Sequence, residues 1–404
     1  QLPGAELHKD GQIYVNGKFV ESLLLNGKDF FRGNNSVMLD NLPTYMVSQV
    51  EVYDRFGDNS RFLGHEVGGD KKFVMDVHLK KQYNIGWVNN MEAGGGTKDR
   101  FLARLFAMRF TDHSRLAIYG NMNNLNDGRK PGENDNWSPS DLVGGITKQQ
   151  LGGIDYNVDA RNGKYKISGN AQIKHANNTM VNNTNRTNFL SSGDTYDRIL
   201  GDNCNHDFAI STDHQFYFEF KGANLEIKPY FNYQHYDKKN EYSSLTLGSS
   251  FTPFSKAQLD SLYTPRIGRE LLRSAINRNL RNALSSGNSL QGSVSVESII
   301  KLKHSPDHLT LYADASYRHA AEASYDRNRI DYYANGQLAD TDFRNRYFNI
   351  RPDQGYGMTG KVAYNYVVKE GFDIDFSYKY NRKTTNRYSS LYRLDQLAGW
   401  GADS

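Results

Sequence analysis

From about residue 86 onward, apolar and polar residues alternate one by one, and this period of two constrains the fold more than any other feature. In one segment Phe372, Ile374 and Phe376 alternate with Asp373 and Asp375. Successive side chains of a β-strand point to opposite faces, whereas a helix repeats its apolar positions every three or four residues. The pattern therefore predicts strands with one apolar face and one polar face. The same alternation occurs at 154–159, 215–220 and 309–318.

The connections between these segments alternate between short and long. Short turns are predicted at 111–114, 161–164, 221–223, 305–308 and 369–371, and long polar stretches near 124–150, 177–206, 237–289 and 322–355. Transmembrane barrels show this rhythm because their periplasmic turns are tight and their outward loops are free to grow. Segments of roughly 10 to 13 residues would cross a bilayer at a tilt. A soluble antiparallel sheet with one wet face is the alternative, but it gives no reason for the rhythm.

Tyrosines recur near the predicted strand ends, where a transmembrane barrel carries an aromatic girdle. Ordinary strand propensity explains any one of them equally well, so only their recurrence supports a girdle. The tyrosines in question are Tyr233, Tyr236, Tyr317, Tyr366 and Tyr380.

Strand counting from residue 86 gives about 11 strands, whereas bacterial single-chain barrels have an even number. An unpaired strand edge is not tolerated in lipid. We therefore expect residues 85–404 to form the N-terminal half of an antiparallel transmembrane β-barrel, with about 11 of roughly 22 strands in total.

Composition excludes several other classes of protein. Aromatic residues make up 13% of the 404 residues, a density that disordered chains lack. The net charge of +4 is spread along the chain, so no basic stripe indicates nucleic acid as a partner. The single cysteine, Cys204, excludes an internal disulfide. The most apolar stretch, at 101–110, contains two arginines and is far shorter than the roughly 20 residues that a membrane helix needs.

Residues 1–84 follow a different pattern and are predicted to form a separate small α/β domain. Tight turns at Asp10-Gly11, Asn16-Gly17 and Asn26-Gly27 separate short strands, including those at 13–15 and 49–52. A helical turn is predicted at 41–47, with Pro43 at its first position.

Several motifs in this domain resemble the plug domain of TonB-dependent receptors. They are LPG at 2–4, IYVNGK at 13–18, LLNGKDFFRG at 24–33, LDNLPTYMVSQVEVYD at 39–54 and FVMDVHLKK at 73–81. The variant is similar to the subgroup with an LPG motif and a carboxypeptidase-regulatory-like domain ahead of the plug. The resemblance covers the plug clearly and the barrel only in style. The glycine-proline and tyrosine-glycine signature of the common plug is missing, so a metal-chelate substrate is not implied.

The resemblance implies a Gram-negative outer-membrane transporter that imports a nutrient, such as a glycan or peptide, through a plugged barrel. Its implied partners are outer-membrane lipid, an inner-membrane energy-coupling protein of the TonB type and, as a candidate, a surface lipoprotein. The energy-coupling box of the family is expected upstream of Gln1. An outer-membrane adhesion barrel, whose loops grip a ligand without transport, is the alternative, although an adhesin has no use for a plug.

Charged residues of the second predicted strand are candidates for contact with the plug. Arg104 and Arg109 lie five residues apart, so only one of them can point into the lumen. The resemblance to TonB-dependent receptors implies that this arginine pairs with an acidic residue of the plug. The alternative is that its charge is solvated by water. The acidic candidates are Asp29, Asp40, Glu51, Asp54 and Asp76.

No convincing metal, cofactor or catalytic site is predicted. Cys204, His206 and Asp207 lie close in sequence, but such a cluster more often consists of polar side chains that face solvent and bind no metal. The oxygen-rich stretch with Asn126, Asp127, Glu133 and Asp135 lacks the spacing of a calcium loop. Since nucleophile and phosphate-binding motifs are also missing from the sequence, we do not expect an enzyme.

Overall fold

The computed structural model describes residues 4–8, 12–28, 42, 44–67, 70–127, 144–160, 163–248, 269–369 and 372–397. Antiparallel β-structure dominates these residues, and the largest sheet has 11 strands in strict sequence order. The predicted fold class, mainly β with one large antiparallel sheet, is confirmed. No helix in the described ranges is long and apolar enough to span a membrane.

We call the described residues up to 84 the N-terminal unit. It begins with a meander of three short strands. They are β1 (Ala5–Leu7), β2 (Ile13–Val15) and β3 (Lys18–Phe19). A second sheet places β6 between β4 and β5, parallel to β4 and antiparallel to β5. Its strands are β4 (Ser22–Leu25), β5 (Val47–Arg55) and β6 (Lys72–Leu79). The predicted helical turn is a 3-10 helix at Thr44–Met46.

Two asparagine-glycine pairs form the tight turns that the sequence predicts in this unit. Asn16 and Gly17 have φ angles of 50° and 77°, and Asn26 and Gly27 have φ angles of 50° and 76°. This left-handed conformation is costly for most residues but accessible to asparagine and glycine, which explains the pairs. The predicted turn at Asp10-Gly11 lies outside the described residues.

The large sheet follows without a crossover, each strand pairing with the next. Its strands are β7 (Gly86–Gly96), β8 (Arg100–Phe110), β9 (Ser114–Asn123), β10 (Ile146–Asp159), β11 (Tyr165–Asn188), β12 (Thr195–Glu219), β13 (Asn224–Leu247), β14 (Ala275–Lys301), β15 (His308–Ala334), β16 (Gln337–Lys369) and β17 (Phe372–Arg393). Within the described residues β7 and β17 are the edges, and they do not pair with each other.

The predicted strand lengths and long loops are wrong for the middle of the sheet. β11 to β16 hold between 24 and 33 residues each, so most of the polar stretches at 177–206 and 322–355 are strand. β15 and β16 are joined by a turn at Asn335-Gly336, with φ angles of 53° and 78°. Outside a bilayer, a ladder of backbone hydrogen bonds needs no apolar face, so the strands continue where the alternation ends.

The register gives the sheet two chemically different faces. We call the face that contacts the N-terminal unit the inner face and the opposite one the outer face. In β9 the odd positions, such as Ala117 and Tyr119, are buried on the inner face, whereas Leu116 and Ile118 are exposed on the outer face. Direct pairing carries this division across the sheet, since residues opposite each other share a face.

Outward positions form an apolar band that remains exposed from β8 to β17. Its members include Leu105, Leu116, Ile118, Met122, Ile154, Ile173, Phe231, Val294, Leu311, Met358, Val362, Ile374, Phe376 and Tyr378. Of the predicted girdle, Tyr317 lies on the outer face directly opposite Tyr356, with ring centroids 5.1 Å apart. Tyr236 does not belong to the girdle, because its position in β13 is inward and its ring covers Gly287.

Candidate functional site

The N-terminal unit and the inner face of the large sheet share one hydrophobic core. Leu23, Leu25, Val77 and Leu79 of the unit belong to it, together with inward side chains of three neighbouring strands. Those inward side chains are Phe106, Met108, Phe110, Ala117, Tyr119 and Leu151. A buried side chain of this size contributes roughly 1.5–3 kcal/mol, so the unit is held as part of the fold rather than as a loose appendage.

The chain passes from the unit into the sheet beneath one of these aromatic rings. A Cβ atom at Gly86, the first residue of β7, would lie 3.0 Å from Cζ of Phe110. Phe110 itself is 1% exposed. Glycine therefore allows the first strand to start against the closed core.

A short helix, α1 (Asp58–Leu63), provides most of the polar contacts to the sheet. Asp70 fixes its start, since the carboxylate accepts a 3.0 Å hydrogen bond from the Ser60 backbone and also binds the Ser60 hydroxyl. The helix ends at Leu63, and its C-cap residue, Gly64, has a φ of 86°. Asp58 suits the first turn because carboxylates are favoured at helix N-termini.

Asn59 inserts its amide between two strands of the sheet. Its Oδ1 accepts a 3.1 Å hydrogen bond from Nδ2 of Asn224, and its own Nδ2 donates one of 3.2 Å to Oε1 of Glu297. Asn224 is 3% exposed, and its Oδ1 accepts a 2.7 Å hydrogen bond from the backbone of Ile299. The buried amide of Asn224 in β13 thus contacts both the N-terminal unit and β14.

Ion pairs surround this contact. Asp58 pairs with Lys166 at the start of β11, and Arg61 lies 3.9 Å from Glu219 at the end of β12. On the other side of the unit, Lys28 lies 3.0 Å from the carboxylate of Asp159, the last residue of β10. All these partners stand at the end of the sheet where the connections are short.

Two ring contacts extend the interface to β14 and β15. The ammonium of Lys301 lies 4.2 Å from the ring centroid of Phe62, and the rings of His65 and His308 are 6.0 Å apart. Phe62 is 5% exposed and His308 is 1% exposed. The unit consequently contacts the sheet from β8 through to β15.

The surroundings of Asp58 in the folded protein stabilise its negative charge. Burial by itself would raise its pKa, but the ammonium of Lys166, through charge and a hydrogen bond, and then Arg61, outweigh burial and hold the pKa below the usual carboxyl value. Asp58 is consequently a carboxylate at neutral pH, and protonation would remove half of the pair.

The acidic residues predicted to reach the barrel make their described contacts inside the unit. Asp76, 2% exposed, accepts a 2.8 Å hydrogen bond from the backbone of Gly27. Asp54 binds Lys18 at 2.8 Å, and Glu51 lies 3.4 Å from Nε2 of His78. Asp29 and Asp40 lie outside the described residues, so their pairing stays a prediction.

Arg104 and Arg109 point to opposite faces, as their spacing predicts. Arg104 is inward, where it lies 3.1 Å from Glu92 and also pairs with Asp127. Arg109 is outward, 6.0 Å from the ring of Trp87. Of the two, only Arg104 remains a candidate for contact with the N-terminal unit.

The contacts that hold the unit were missed in the sequence. Residues 58–63, DNSRFL, show no helical period long enough to mark an amphipathic helix. The available signal was the glycine on either side, Gly57 and Gly64, which bracket a short helix that begins with an aspartate.

No group of three or more candidate metal ligands occurs among the residues that the structure describes. The sulfur of Cys204 lies 3.3 Å from Nε2 of His206, whose Nδ1 is 2.7 Å from the amide oxygen of Asn177, and all three belong to paired strands rather than a loop. Asn126 bridges two backbone groups at Gly145 and Thr147. Glu133 and Asp135 are outside the described ranges.

Comparisons with known proteins give only distant similarities. No protein-family model and no curated protein matches this sequence. Among solved structures, the chain is similar to the copper transporter OprC, with 10% identity, a TM-score of 0.18, and coverage of 95% of this chain and 75% of the other. For the ferric yersiniabactin uptake receptor FyuA from Yersinia pestis, identity is 10%, the TM-score 0.20, and coverage 95% and 68%.

The alcaligin outer-membrane receptor FauA from Bordetella pertussis is similar at 9% identity and a TM-score of 0.16, with coverage of 95% of this chain and 66% of the other. At these identities and TM-scores, the three proteins do not bear on what this chain binds.

Proposed function

We propose that this chain is the plug and part of the barrel wall of an outer-membrane transporter of the TonB-dependent receptor type in a Gram-negative bacterium. One observation carries the proposal: a folded N-terminal unit docks on the inner face of the same large sheet whose outer face exposes an apolar band. Exposure of such an apolar band to water is unfavourable, whereas contact with the hydrocarbon of lipid is not. The boundary between the plug, residues 1–84, and the barrel segment, residues 85–404, lies between residues 84 and 85.

In the part of the chain that the structure describes, the edges of β7 and β17 have no partner strand, which agrees with this proposal. Backbone groups at a strand edge have no partner in hydrocarbon, so both edges need further strands in a closed barrel. A closed barrel of about 22 strands is wide enough to pass water unless something fills it. The N-terminal unit is that filling, and its removal or rearrangement opens the path.

Transport is favoured over adhesion by the chemistry of the docking contacts. The Asn59 amide, the Asp58 pair and the Lys28 pair combine hydrogen bonds and charges that can be broken and re-formed. Each net hydrogen bond contributes only about 0.5–1.5 kcal/mol. A pulling inner-membrane protein of the TonB type could therefore release the polar contacts one after another, whereas a binding barrel needs no releasable unit.

A cross-link between the unit and the sheet tests transport directly. Asn59→Cys and Asn224→Cys, in a Cys204→Ser background, are oxidised to a disulfide in cells that express the complete protein. The matched control joins Asn203→Cys to Asn240→Cys, two strand residues whose side chains contact each other within the sheet. Fluorescently labelled mixtures of oligosaccharides and peptides are then followed to the cell surface and the periplasm.

Transport predicts periplasmic accumulation that is lost with the unit cross-link and kept with the control, while surface binding persists in both. Surface binding without periplasmic accumulation in any variant would instead support the adhesion barrel. Accumulation that is indifferent to the unit cross-link would contradict the plug.

A further inference from the structure

We propose that the inner face of β13 to β17 carries a binding groove for an uncharged oligosaccharide. This inference rests on the proposed function, because it places the ligand inside the lumen. The groove has a volume of about 400 Å³ and runs across the strands rather than along them. Its centre is a row of directly paired inward residues: Tyr230, Ser293, Ser316, Gly357 and Lys383.

Small residues in the middle of that row create the groove. Ser293, Ser316 and Gly357 form the floor, between the ring of Tyr230 and the ammonium of Lys383. A Cβ atom at Gly357 would stand 2.5 Å from the Ser316 hydroxyl, so the floor there is already closely packed. Neighbouring strands are about 4.8 Å apart, and four spacings from β13 to β17 give a length of roughly 19 Å.

Polar side chains form both walls. On one side stand Gln291, Arg318 and Thr385, with Gly355 between the last two, and on the other side Asp314, Thr359 and Asn381. Carboxylate and amide groups can each hydrogen-bond two adjacent hydroxyls, and both senses of hydrogen bond are present. A hydroxyl-rich chain satisfies such walls along its whole length.

The charges favour an uncharged ligand. Arg318 donates a 2.7 Å hydrogen bond to Asp353, which is 8% exposed, so this guanidinium already has its counter-ion. Lys383 and Asp314 then leave one charge of each sign in the groove. The exposed ring of Tyr230 provides an amphipathic surface on which a sugar ring can lie.

The position of the groove fits a ligand that binds above the plug. The unit contacts β14 at Glu297, four residues from Ser293 on the same face of that strand. Four residues of strand span about 13 Å. The groove therefore lies beyond the docked unit, toward the end of the sheet with the long connections.

Two leucine substitutions in one strand separate the groove from the general effects of mutation. Gly355→Leu fills the groove, and its Cβ would meet only ordinary contacts of 3.7–3.9 Å, so the sheet accepts it. Gly360→Leu, on the outer face of β16, has no atom within 4 Å of its Cβ and serves as the control. Tyr230→Ala removes the ring at the groove end.

Isothermal titration calorimetry of the complete protein in detergent measures binding of maltohexaose, cellohexaose, xylohexaose and mannohexaose, with hexagalacturonate and a glycine-serine hexapeptide as comparators. We expect at least one neutral hexasaccharide to bind, with affinity at least tenfold weaker in Gly355→Leu and Tyr230→Ala and within twofold in Gly360→Leu. The inference is overturned if no neutral hexasaccharide binds, if Gly355→Leu binds as well as the wild type, or if only a comparator responds to the groove variants. In planar bilayers the Gly355→Leu protein should not conduct if the plug is intact. A loss of oligosaccharide binding is therefore distinguishable from failure of the proposed function.

Discussion

Nδ2 of Asn224 donates a 3.1 Å hydrogen bond to Oδ1 of Asn59, which joins the first turn of α1 to the start of β13. Because Asn224 is 3% exposed and also accepts from the Ile299 backbone, this amide is fully engaged. The bond lies in the centre of the contacts that hold the N-terminal unit against the sheet.

Replacing Asn224 by leucine is expected to destabilise the docked unit by about 1–3 kcal/mol, because the buried Ile299 N–H and the Asn59 amide both lose a partner. Urea denaturation in detergent, followed by limited proteolysis of the N-terminal unit, measures the change. Asn240→Leu, at an exposed position of β13, is the control and should leave the urea midpoint within experimental error. An identical midpoint for both variants would contradict the role of Asn224.

Acid is expected to loosen the docked unit through Asp58. The pKa of this carboxyl is lower in the folded protein than in the unfolded chain, so its contribution is complete above the unfolded value of about 3.9 and is lost as the pH falls through the folded value. Openings in planar bilayers should therefore become more frequent as the pH is lowered from neutrality through that range.

Asp58→Asn should already open more often at neutral pH and show a smaller acid response. Asp54→Asn is the control, since Asp54 pairs with Lys18 inside the unit. If Asp58→Asn retains the full acid response, another group controls it.

Phe376 and Ser377 test which face of β17 meets lipid. Phe376 is outward and 62% exposed, and Ser377 is its inward neighbour. An arginine at Phe376 should cost about 2–4 kcal/mol in the complete protein, because the charge enters hydrocarbon, whereas an arginine at Ser377 should cost little. Unfolding titrations in lipid vesicles compare the two variants. Equal costs would overturn the assignment of the faces.

The sequence predicts the strands of the large sheet and their faces well, since alternation reports which side is apolar. Phe376 and Ser377 were assigned to opposite faces in this way. Strand ends were predicted poorly, because β15 and β16 continue through 322–355, where neither face needs to be apolar. A ladder of backbone hydrogen bonds leaves no mark in side-chain polarity there.

The docking contacts were harder to predict than the sheet. Charge alone makes Asp76 and Asp54 candidates for contact with the sheet, yet their described partners lie inside the unit. Asn59 was overlooked because a single asparagine in a short helix carries no periodic signal. Its two partners, Asn224 and Glu297, are more than 160 residues away in the sequence and meet it only in the folded structure.

The conductance of the complete protein, with and without residues 1–84, tests the central claim most directly. In planar bilayers the intact protein should remain closed, because the N-terminal unit packs against the inner face and would fill the lumen of the proposed barrel. The protein without this unit should give large, stable conductance, as expected of a barrel of about 22 strands. If both forms are equally silent or equally conducting, the unit is not a plug.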